Sequence, residues 1–355
     1  MGQKNKALSG PAVIPRDILL GLTKPEDVGF RLRWGIIGGG EISRQFVLSS
    51  RACPGAIISA VATRSLETAQ SFANSYGVDS AYGNIEDMLA SDDVDIVYVG
   101  TPDEMHKQHS LLAIEAGKHV LCEKILAKSV ADAEEMYDAA NKQGVMLQDG
   151  VWTRFFPAVE QARQIIESGD IGEVVMVQAD FDPLYTAQAA TLAFGTEAKL
   201  INLQVSGMQR GPGGAILEFE KDRYANLTFI RFPSEFPEVT EITGTKGRIT
   251  LEQPAHCPTR ITVRIPPQAP SRYAGANNPS PFQVFDYPLS SSIEIPNAYP
   301  NQKGFSYMID AIHRCIASDH LECPQFDREA SIHLLAIVCA INAKRKPNPN
   351  IRTKK

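Results

Sequence analysis

The chain has 355 residues, 43% of them hydrophobic, so it is long enough to form two domains with cores of their own. Its formal net charge of −6 excludes the strongly basic surface that binding to nucleic acid or to an anionic membrane requires. The sequence contains no apolar run long enough to cross a bilayer. We therefore expect neither nucleic acid nor a membrane among its partners.

The cysteines and the N-terminal segment further limit the class of protein and the extent of the fold. The six cysteines are scattered along the chain without CxxC spacing, which indicates reduced thiols in a cytoplasmic protein rather than disulfides or zinc ligands. We accordingly expect no metal site. Residues 1–30 are predicted to form a polar extension that lies outside the fold.

The stretch LRWGIIGGGEIS is the first predicted element and the most informative one. A short apolar run ends in Gly38-Gly39-Gly40 and is followed by an amphipathic segment, which predicts a buried strand, a tight turn and the start of a helix. This layout lets backbone N–H groups meet a pyrophosphate, because Gly38 permits the turn and Gly40 permits close approach of the phosphate. The third position of this fingerprint holds Ser43 instead of Gly or Ala.

Strands and helices alternate over the rest of the first half, which predicts parallel pairing in a doubly wound sheet. Ser65 begins a helix that Gly77 ends, Asn84 opens a short helix, and Ser129 begins a helix that Gly144 ends. The predicted strands are 57–62, 95–100, 119–122 and 145–147, and the other predicted helices are 41–51 and 105–116. The ligand crevice is expected at the carboxyl ends of these strands.

The second half shows a different pattern. Alternating apolar and polar runs with turn residues between them predict an antiparallel sheet with one covered face. The predicted strands are 174–179, 227–232, two runs joined by a turn around 242–251, 260–265 and 283–287, and the predicted helices are 157–168, 304–318 and 327–345. We therefore predict a Rossmann-type, doubly wound parallel sheet at 31–150, followed by a C-terminal α+β domain with an open, mostly antiparallel sheet at 151–355.

Arg64 follows the second strand of the first half. An NAD site places an acidic side chain here to accept hydrogen bonds from the ribose 2′-hydroxyl, whereas an arginine can pair with a 2′-phosphate. There is no Asp or Glu at 62–65. This favours NADP, and the alternative is a solvated arginine at the start of a helix.

Glu123 and Lys124 follow the strand at 119–122. A lysine at the crevice could hydrogen-bond a substrate hydroxyl. The alternative is a surface ion pair, which is common and contributes little. Position in the sequence does not decide between the two.

Three further motifs carry a resemblance to a known family. GTPDEMHKQH at 100–109, GKHVLCEK at 117–124 and above all VWTRFFPA at 151–158 resemble the Gfo/Idh/MocA oxidoreductases. Within that family, the chain is most similar to the branch of dimeric dihydrodiol dehydrogenases, also known as NADP-dependent D-xylose dehydrogenases. The resemblance runs from about residue 32 to the C-terminal helices and implies an NADP-linked hydride transfer to or from a sugar, polyol or dihydrodiol.

The resemblance also implies roles for individual residues. Lys124 falls on the lysine of the family's EKP motif, which makes it a catalytic residue at the nicotinamide site, although Ile125 replaces the motif's proline. Trp152 and Phe156 would form the apolar wall of the substrate pocket, or alternatively an aromatic core. Tyr98 and His106 match cofactor-site positions of the family, or alternatively are core or helix-start residues. The other cofactor-site candidates, which follow from the predicted strand ends and the glycine turn, are Gly38, Gly40, Ser43, Arg64, Thr101, Pro102 and Glu123.

The chain departs from the family near residue 183. The family continues through a long connection to a helix that opens with a D-x-G-x-Y-type motif, whose tyrosine is the proton donor. Here ADFDPLYTAQAATLAFG lacks that connection together with its Asp and Gly. Tyr185 alone keeps the phase of the following helix and is the second catalytic candidate. Asp182 and Pro183 are predicted to begin that helix, and Asp182 either replaces the lost aspartate or acts only as a cap.

Two hypotheses about function follow. The first is an active NADP-dependent dehydrogenase that acts on a small-molecule substrate. The second is a catalytically impaired relative that keeps the cofactor domain, and an incomplete gene model of an active enzyme would have the same sequence. By family analogy, we expect a homodimer formed through the exposed face of the second sheet.

Overall fold

The computed structural model describes residues 8–230, 237–265, 281–289 and 293–348. The chain divides into two compact units, and neither is a single continuous segment. The first unit comprises residues 14–155 and 289–335, and the second comprises residues 1–13, 156–288 and 336–355. This division differs from the two continuous domains predicted from the sequence, because the segment 289–335 packs with the N-terminal half.

A six-stranded parallel sheet forms the centre of the first unit. Along the chain, β1 (Leu8–Ser9), which belongs to the second unit, and helix α1 (Arg16–Leu19) precede it. Its strands are β2 (Leu32–Ile37), β3 (Ala56–Ala62), β4 (Ser80–Tyr82), β5 (Ile96–Val99), β6 (His119–Cys122) and β7 (Leu147–Asp149), and the intervening helices are α2 (Glu41–Ser50), α3 (Leu66–Tyr76), α4 (Ile85–Leu89), α5 (His106–Glu115) and α6 (Val130–Gln143). The strand order β4-β3-β2-β5-β6-β7 reverses between β2 and β5, so the predicted doubly wound sheet is confirmed.

The predicted helix ends of this unit are confirmed. Ser65, Asn84 and Ser129 each accept a backbone N–H from three residues further on, at 2.8 to 3.2 Å. Gly77 and Gly144 have a left-handed backbone with φ of 71°. Such caps depend only on neighbouring residues, which is why the sequence predicts them well.

Strand β7 begins later than predicted. We expected 145–147, whereas the strand is Leu147–Asp149. The N–H of Val145 donates to the carbonyl of Ala140 and so completes the end of α6. The short strand β4 was not predicted, since three residues carry no usable hydrophobic period.

The second unit contains a mixed, mostly antiparallel sheet of eight strands and the two-residue edge strand β1. Its elements are α7 (Pro157–Glu167), β8 (Val174–Phe181), α8 (Pro183–Phe194), β9 (Leu200–Gly207), β10 (Gly213–Phe219), β11 (Arg223–Phe229), β12 (Thr240–Gly244), β13 (Arg248–Leu251), β14 (Arg260–Arg264) and β15 (Phe282–Asp286). The strand order is β1-β15-β14-β13-β12-β8-β11-β10-β9, with parallel pairs only at β1–β15 and β8–β11. Residues alternate between buried and exposed along β11, as an open sheet requires.

Two helices complete the chain. Helix α9 (Phe305–Ala317) lies in the first unit, and α10 (Arg328–Lys344) contributes residues to both units. Asp327 accepts the N–H of Ala330 at 2.9 Å, which confirms the predicted cap of α10. Strands β9 and β10 were missed, because β9 is largely exposed and β10 begins with two glycines.

The expectation that residues 1–30 lie outside the fold is wrong for the described part of this segment, because Leu8–Ser9 form the edge strand β1 and residues 14–30 belong to the first unit. Asp17 is fully buried and accepts hydrogen bonds from Arg314 at 2.6 and 3.0 Å and from Thr23 at 2.6 Å. A buried carboxylate needs a charged partner. The polar composition of the segment was misleading because that partner lies 297 residues away in the sequence.

Candidate functional site

The turn after β2 has the geometry predicted for a phosphate-binding loop. Gly38 has φ of 99°, and a Cβ there would lie 3.0 Å from the carbonyl oxygen of Gly100. Gly40 is the N-cap of α2, and a Cβ there would meet nothing within 4 Å. The structure therefore requires glycine at Gly38 for the fold itself, whereas Gly40 borders open space at the N-terminus of α2, where an anion is favoured.

Ser43 acts in packing at this turn. Its side chain has no exposed surface, and a Cβ on Gly100 would collide with its Oγ. The third fingerprint position of this fold serves close packing of the helix against the strand. We therefore place Ser43 behind the loop rather than at a ligand-contacting position.

Arg64 lies at the carboxyl end of β3 and is exposed. Its guanidinium forms no ion pair and no hydrogen bond with any residue in the described part of the chain. The neighbouring Ser65 is engaged as the cap of α3. Arg64 is therefore available to an anionic ligand at this edge of the sheet.

The loop after β5 is tied to the loop after β6 by a buried histidine. His106 is 1% exposed, and its two ring nitrogens lie 2.9 Å from the carbonyl oxygen of Thr101 and 2.7 Å from that of Ile125. The Thr101 hydroxyl also contacts Nδ1 of His109 at 3.1 Å, and burial together with the charge of His106 lowers the pKa of His109. Thr101 and Pro102 keep accessible surface, whereas His106 positions the loop that carries them.

Glu123 and Lys124 form a pair at the carboxyl end of β6. Lys124 Nζ lies 3.8 Å from Glu123 Oε2, and the Glu123 side chain is 6% exposed against 30% for Lys124. The hydroxyl of Tyr98 donates to Glu123 Oε1 at 2.7 Å. Burial and the charge of Glu123 raise the pKa of Tyr98, so its hydroxyl remains a donor. The peptide bond between Lys124 and Ile125 is cis.

Tyr98 is therefore a core residue that contacts the site through Glu123. It is fully buried, and its ring stacks on Phe46 with centroids 3.9 Å apart. Trp152 is 5% exposed and packs 4.9 Å from Phe305, while Phe156 is completely buried. Trp152 therefore packs on another aromatic ring and Phe156 is enclosed, and a role for either in a substrate pocket stays a prediction.

Tyr185 lies in the first turn of α8, in the second unit. Helix α8 begins as predicted, with Asp182 Oδ1 accepting the N–H of Leu184 at 2.8 Å. Tyr185 is half-buried, and its ring lies 5.5 Å from Phe181 and 5.0 Å from His256. Asp182 is thus engaged as a helix cap.

Two groups near these candidates were missed at the sequence level. In the second unit, Nδ1 of His256 contacts the carboxylate of Glu238, and its Nε2 lies 3.3 Å from Cys257 Sγ. In the first unit, Asp149 at the end of β7 is buried next to Cys122. Isolated His, Glu and Asp residues carry no sequence signal, because their partners are distant in the chain.

Comparison with known proteins identifies the family. Residues 32–151 match the Gfo/Idh/MocA model, described as an oxidoreductase family with an NAD-binding Rossmann fold. Over 338 residues the chain is 31% identical to trans-1,2-dihydrobenzene-1,2-diol dehydrogenase of Danio rerio, covering 86% of this chain and 95% of that protein. The chain belongs to the Gfo/Idh/MocA oxidoreductases. The resemblance inferred from the motifs is confirmed, and the protein is an NAD(P)-binding oxidoreductase of this family.

Solved structures of other oxidoreductases share its fold. A 3-ketoreductase from Actinomadura kijaniata in complex with NADP has a TM-score of 0.71 at 24% identity, covering 89% of this chain and 98% of that one. Levoglucosan dehydrogenase in complex with NADH and levoglucosan has a TM-score of 0.71 at 19% identity, covering 88% and 98%. The fold therefore accommodates either nicotinamide cofactor. In the described residues, no helix is long and apolar enough to span a membrane.

Proposed function

We propose that the protein is an NADP-dependent dehydrogenase that transfers a hydride between the nicotinamide and a hydroxyl-bearing carbon of a sugar or trans-dihydrodiol. The observation that carries the proposal is the Lys124 ammonium, which the buried Glu123 holds at the carboxyl edge of the parallel sheet. The relatives named trans-dihydrodiol dehydrogenase supply the substrate class.

The residues at this edge fit a dinucleotide with a 2′-phosphate. Gly40 leaves open space at the N-terminus of α2 for a pyrophosphate, and Arg64 is available for the 2′-phosphate. Thr101 and Pro102 would border the nicotinamide side. When bound, the dinucleotide supplies the hydride acceptor or donor of the reaction.

The chain's own residues would supply orientation and the proton. Lys124 would donate a hydrogen bond to the substrate oxygen, and Glu123 would fix the direction of its ammonium. By family resemblance, Tyr185 would exchange the proton of the substrate hydroxyl. Tyr98 and His106 would act indirectly, by holding Glu123 and the loop at Thr101 in place.

Steady-state kinetics with D-xylose and with a trans-dihydrodiol would test this function. Replacing NADP⁺ by NAD⁺ should lower turnover, and Lys124→Met should lower kcat by about a hundredfold or more while leaving NADPH affinity nearly unchanged. Lys128→Met is the matched control, because Lys128 pairs with Asp103 on the surface. An unchanged kcat in Lys124→Met would mean that Lys124 is only a surface lysine.

The second candidate is a relative that binds NADP without efficient turnover. It is favoured by the engagement of Asp182 as the cap of α8, which leaves no established replacement for the family's lost aspartate. Restoring the family's connecting segment before Pro183 would decide between the candidates. A large gain in kcat/KM would support impairment, and equal values would support an active site built around Tyr185. Reading the transcript across this junction would identify an incomplete gene model.

We also propose that the protein forms a homodimer through the outer face of the second sheet. Met176 and Tyr224 are paired in register and are 40% and 39% exposed, and Ile216 on the adjacent strand is 47% exposed. Apolar side chains grouped on an open sheet are typical of a protein interface. Ile216→Glu should lower the molecular mass measured by sedimentation equilibrium, and an unchanged mass would contradict this interface.

A further inference from the structure

Asp149 occupies an enclosed position at the same edge of the parallel sheet as Lys124. It ends β7, pairs in register with Cys122 of β6, and is 4% exposed. The N–H of Gly150 donates to the Cys122 carbonyl at 2.8 Å, and a Cβ on Gly150 would lie 3.2 Å from the Cα of Glu123. The two strand ends are therefore packed closely together, and the charges of Glu123 and Lys124 both act on the Asp149 carboxyl group.

The contacts of this carboxyl group are those of an uncharged acid. Ser331 Oγ donates to Asp149 Oδ2 at 2.7 Å, and Asp149 Oδ1 has no hydrogen-bond partner among the described residues. No basic side chain in the described part of the chain lies within ion-pair distance of it. A buried carboxylate with one neutral donor and no cation is costly, so the environment favours the protonated form.

We propose that Asp149 is a positioning residue that holds a proton near Glu123 and Lys124, so that it does not add a second negative charge to that of Glu123 at the Lys124 ammonium. This inference rests on the proposed role of Lys124. When Asp149 loses its proton, a second negative charge appears next to the ammonium and draws it away from the substrate oxygen. The protein with ionised Asp149 therefore has a lower turnover, although no residue of the site has been changed.

The electrostatic surroundings support this assignment. Burial and the charge of Glu123 raise the pKa of Asp149 to about 7, whereas the hydrogen bond from Ser331 and the charge of Lys124 act in the opposite direction. Asp149 is therefore neutral below about pH 7 and ionised above it. Other titratable groups near this cluster include Tyr98 on β5, Asp103 after β5, Cys122 on β6, Tyr137 on α6, and Glu322 and Asp327 before α10.

The pH dependence of the unfolding free energy tests the proposal without requiring turnover. The unfolding free energy of the wild type and of Asp149→Asn is measured between about pH 4 and pH 9. Because the folded-state pKa is raised, the wild type should lose stability relative to the variant as the pH rises from the unfolded value of 3.8, until the difference levels off near 7. A difference that does not change with pH would overturn the proposal.

The charges of Glu123 and Lys124 should shift the pKa of Asp149 in opposite directions. An aspartate with a purely structural role would show no such shifts. The pH at which the difference levels off should move down by about one unit in a Glu123→Gln background and up by about one unit in Lys124→Met and Ser331→Ala backgrounds. An absence of shifts, or shifts in the opposite direction, would overturn it. Should Asp149→Asn fold poorly, the infrared band of the protonated carboxyl group in the wild type and in the three background variants reports the same midpoints.

Kinetics then separate this proposal from the proposed function. The kcat of the wild type should fall above about pH 7, Asp149→Asn should remove that fall, and Asp310→Asn should keep it. Asp310 is a matched control, since burial also raises its pKa but its neighbours are Cys53 and Arg314. Identical pH profiles for the wild type and Asp149→Asn would overturn the link to turnover. Correct stability shifts with an inactive wild type would instead contradict the proposed function alone.

Discussion

The ring of Tyr98 lies flat on the ring of Phe46, with an angle of 7° between the planes and 3.9 Å between the centroids. This stack fixes the direction of the Tyr98 hydroxyl, which donates to Glu123. Glu123 in turn lies against Lys124. The position of the candidate catalytic ammonium therefore depends on a contact in the core between β5 and α2.

Removal of the Tyr98 hydroxyl tests this dependence. Tyr98→Phe keeps the stack but leaves a buried carboxylate oxygen without its donor, which should lower the unfolding free energy by about 1–3 kcal/mol and reduce kcat more than NADPH affinity. Ser75→Ala is the control, because that hydroxyl donates to the Ser71 carbonyl at the surface and its loss should cost less than about 0.5 kcal/mol. Denaturant unfolding compares the two, and equal costs would show that Glu123 is not buried as described.

The two glycines of the phosphate-binding turn should respond differently to alanine. Gly38→Ala forces a side chain into φ of 99° and against the Gly100 carbonyl, so it should destabilise the fold by about 1–3 kcal/mol. Gly40→Ala enters open space and should leave stability within about 0.5 kcal/mol. It should nevertheless weaken NADPH binding roughly tenfold, equivalent to about 1.4 kcal/mol. Undiminished NADPH affinity in Gly40→Ala would place the pyrophosphate elsewhere.

Arg64 should determine the choice of cofactor. A well-formed contact with the 2′-phosphate contributes about 1.5–3 kcal/mol, which predicts at least a tenfold preference for NADPH over NADH. Arg64→Ala should abolish most of that preference. Arg51→Ala, which removes an exposed arginine bonded to the Tyr76 carbonyl, should keep it. Fluorescence titration with both cofactors measures the ratio, and equal affinities in the wild type would contradict the assignment.

The buried pair of Asp17 and Arg314 should be a large contributor to stability. Burial alone would raise the pKa of Asp17, but hydrogen bonding and the charge of Arg314 outweigh burial and lower it below 3.8. Asp17→Asn should therefore cost about 3–5 kcal/mol at neutral pH. Because the folded-state pKa is lowered, the difference from the wild type should shrink as the pH falls below the unfolded value of 3.8. Asp93→Asn is the control, because it removes a partner of Arg33 from a surface ion pair and should cost about 1 kcal/mol or less at any pH. An equally small cost for Asp17→Asn would contradict the burial of Asp17.

Local signals account for what the sequence predicted well. Caps such as Ser65 and Asp327, and the Gly38 turn, depend on a few neighbouring residues, and the alternation of strands with helices fixes parallel pairing. The order of strands then places Arg64 and Lys124 at one edge of the sheet, which is why these two candidates lie where they were expected.

Burial by distant segments accounts for what the sequence did not predict. Tyr98, His106 and Phe156 have the residue types of a ligand site, yet each is enclosed by packing that no local pattern shows. Asp17 was misplaced because its charged partner is Arg314. The absence of strand β9 from the prediction has a related cause, since an exposed strand has little apolar alternation to detect.

The interrupted first unit has a consequence for synthesis of the chain. Trp34 of β2 donates to His313 of α9 at 3.1 Å, and burial keeps His313 uncharged by lowering its pKa to about 4. Helix α9 is translated about 150 residues after β7. At ribosomal speeds of about 5–20 residues per second, this helix is synthesised roughly 10–30 seconds after the last strand of the parallel sheet. During that interval Trp34 lacks the contact with His313 that helps to bury it in the folded chain.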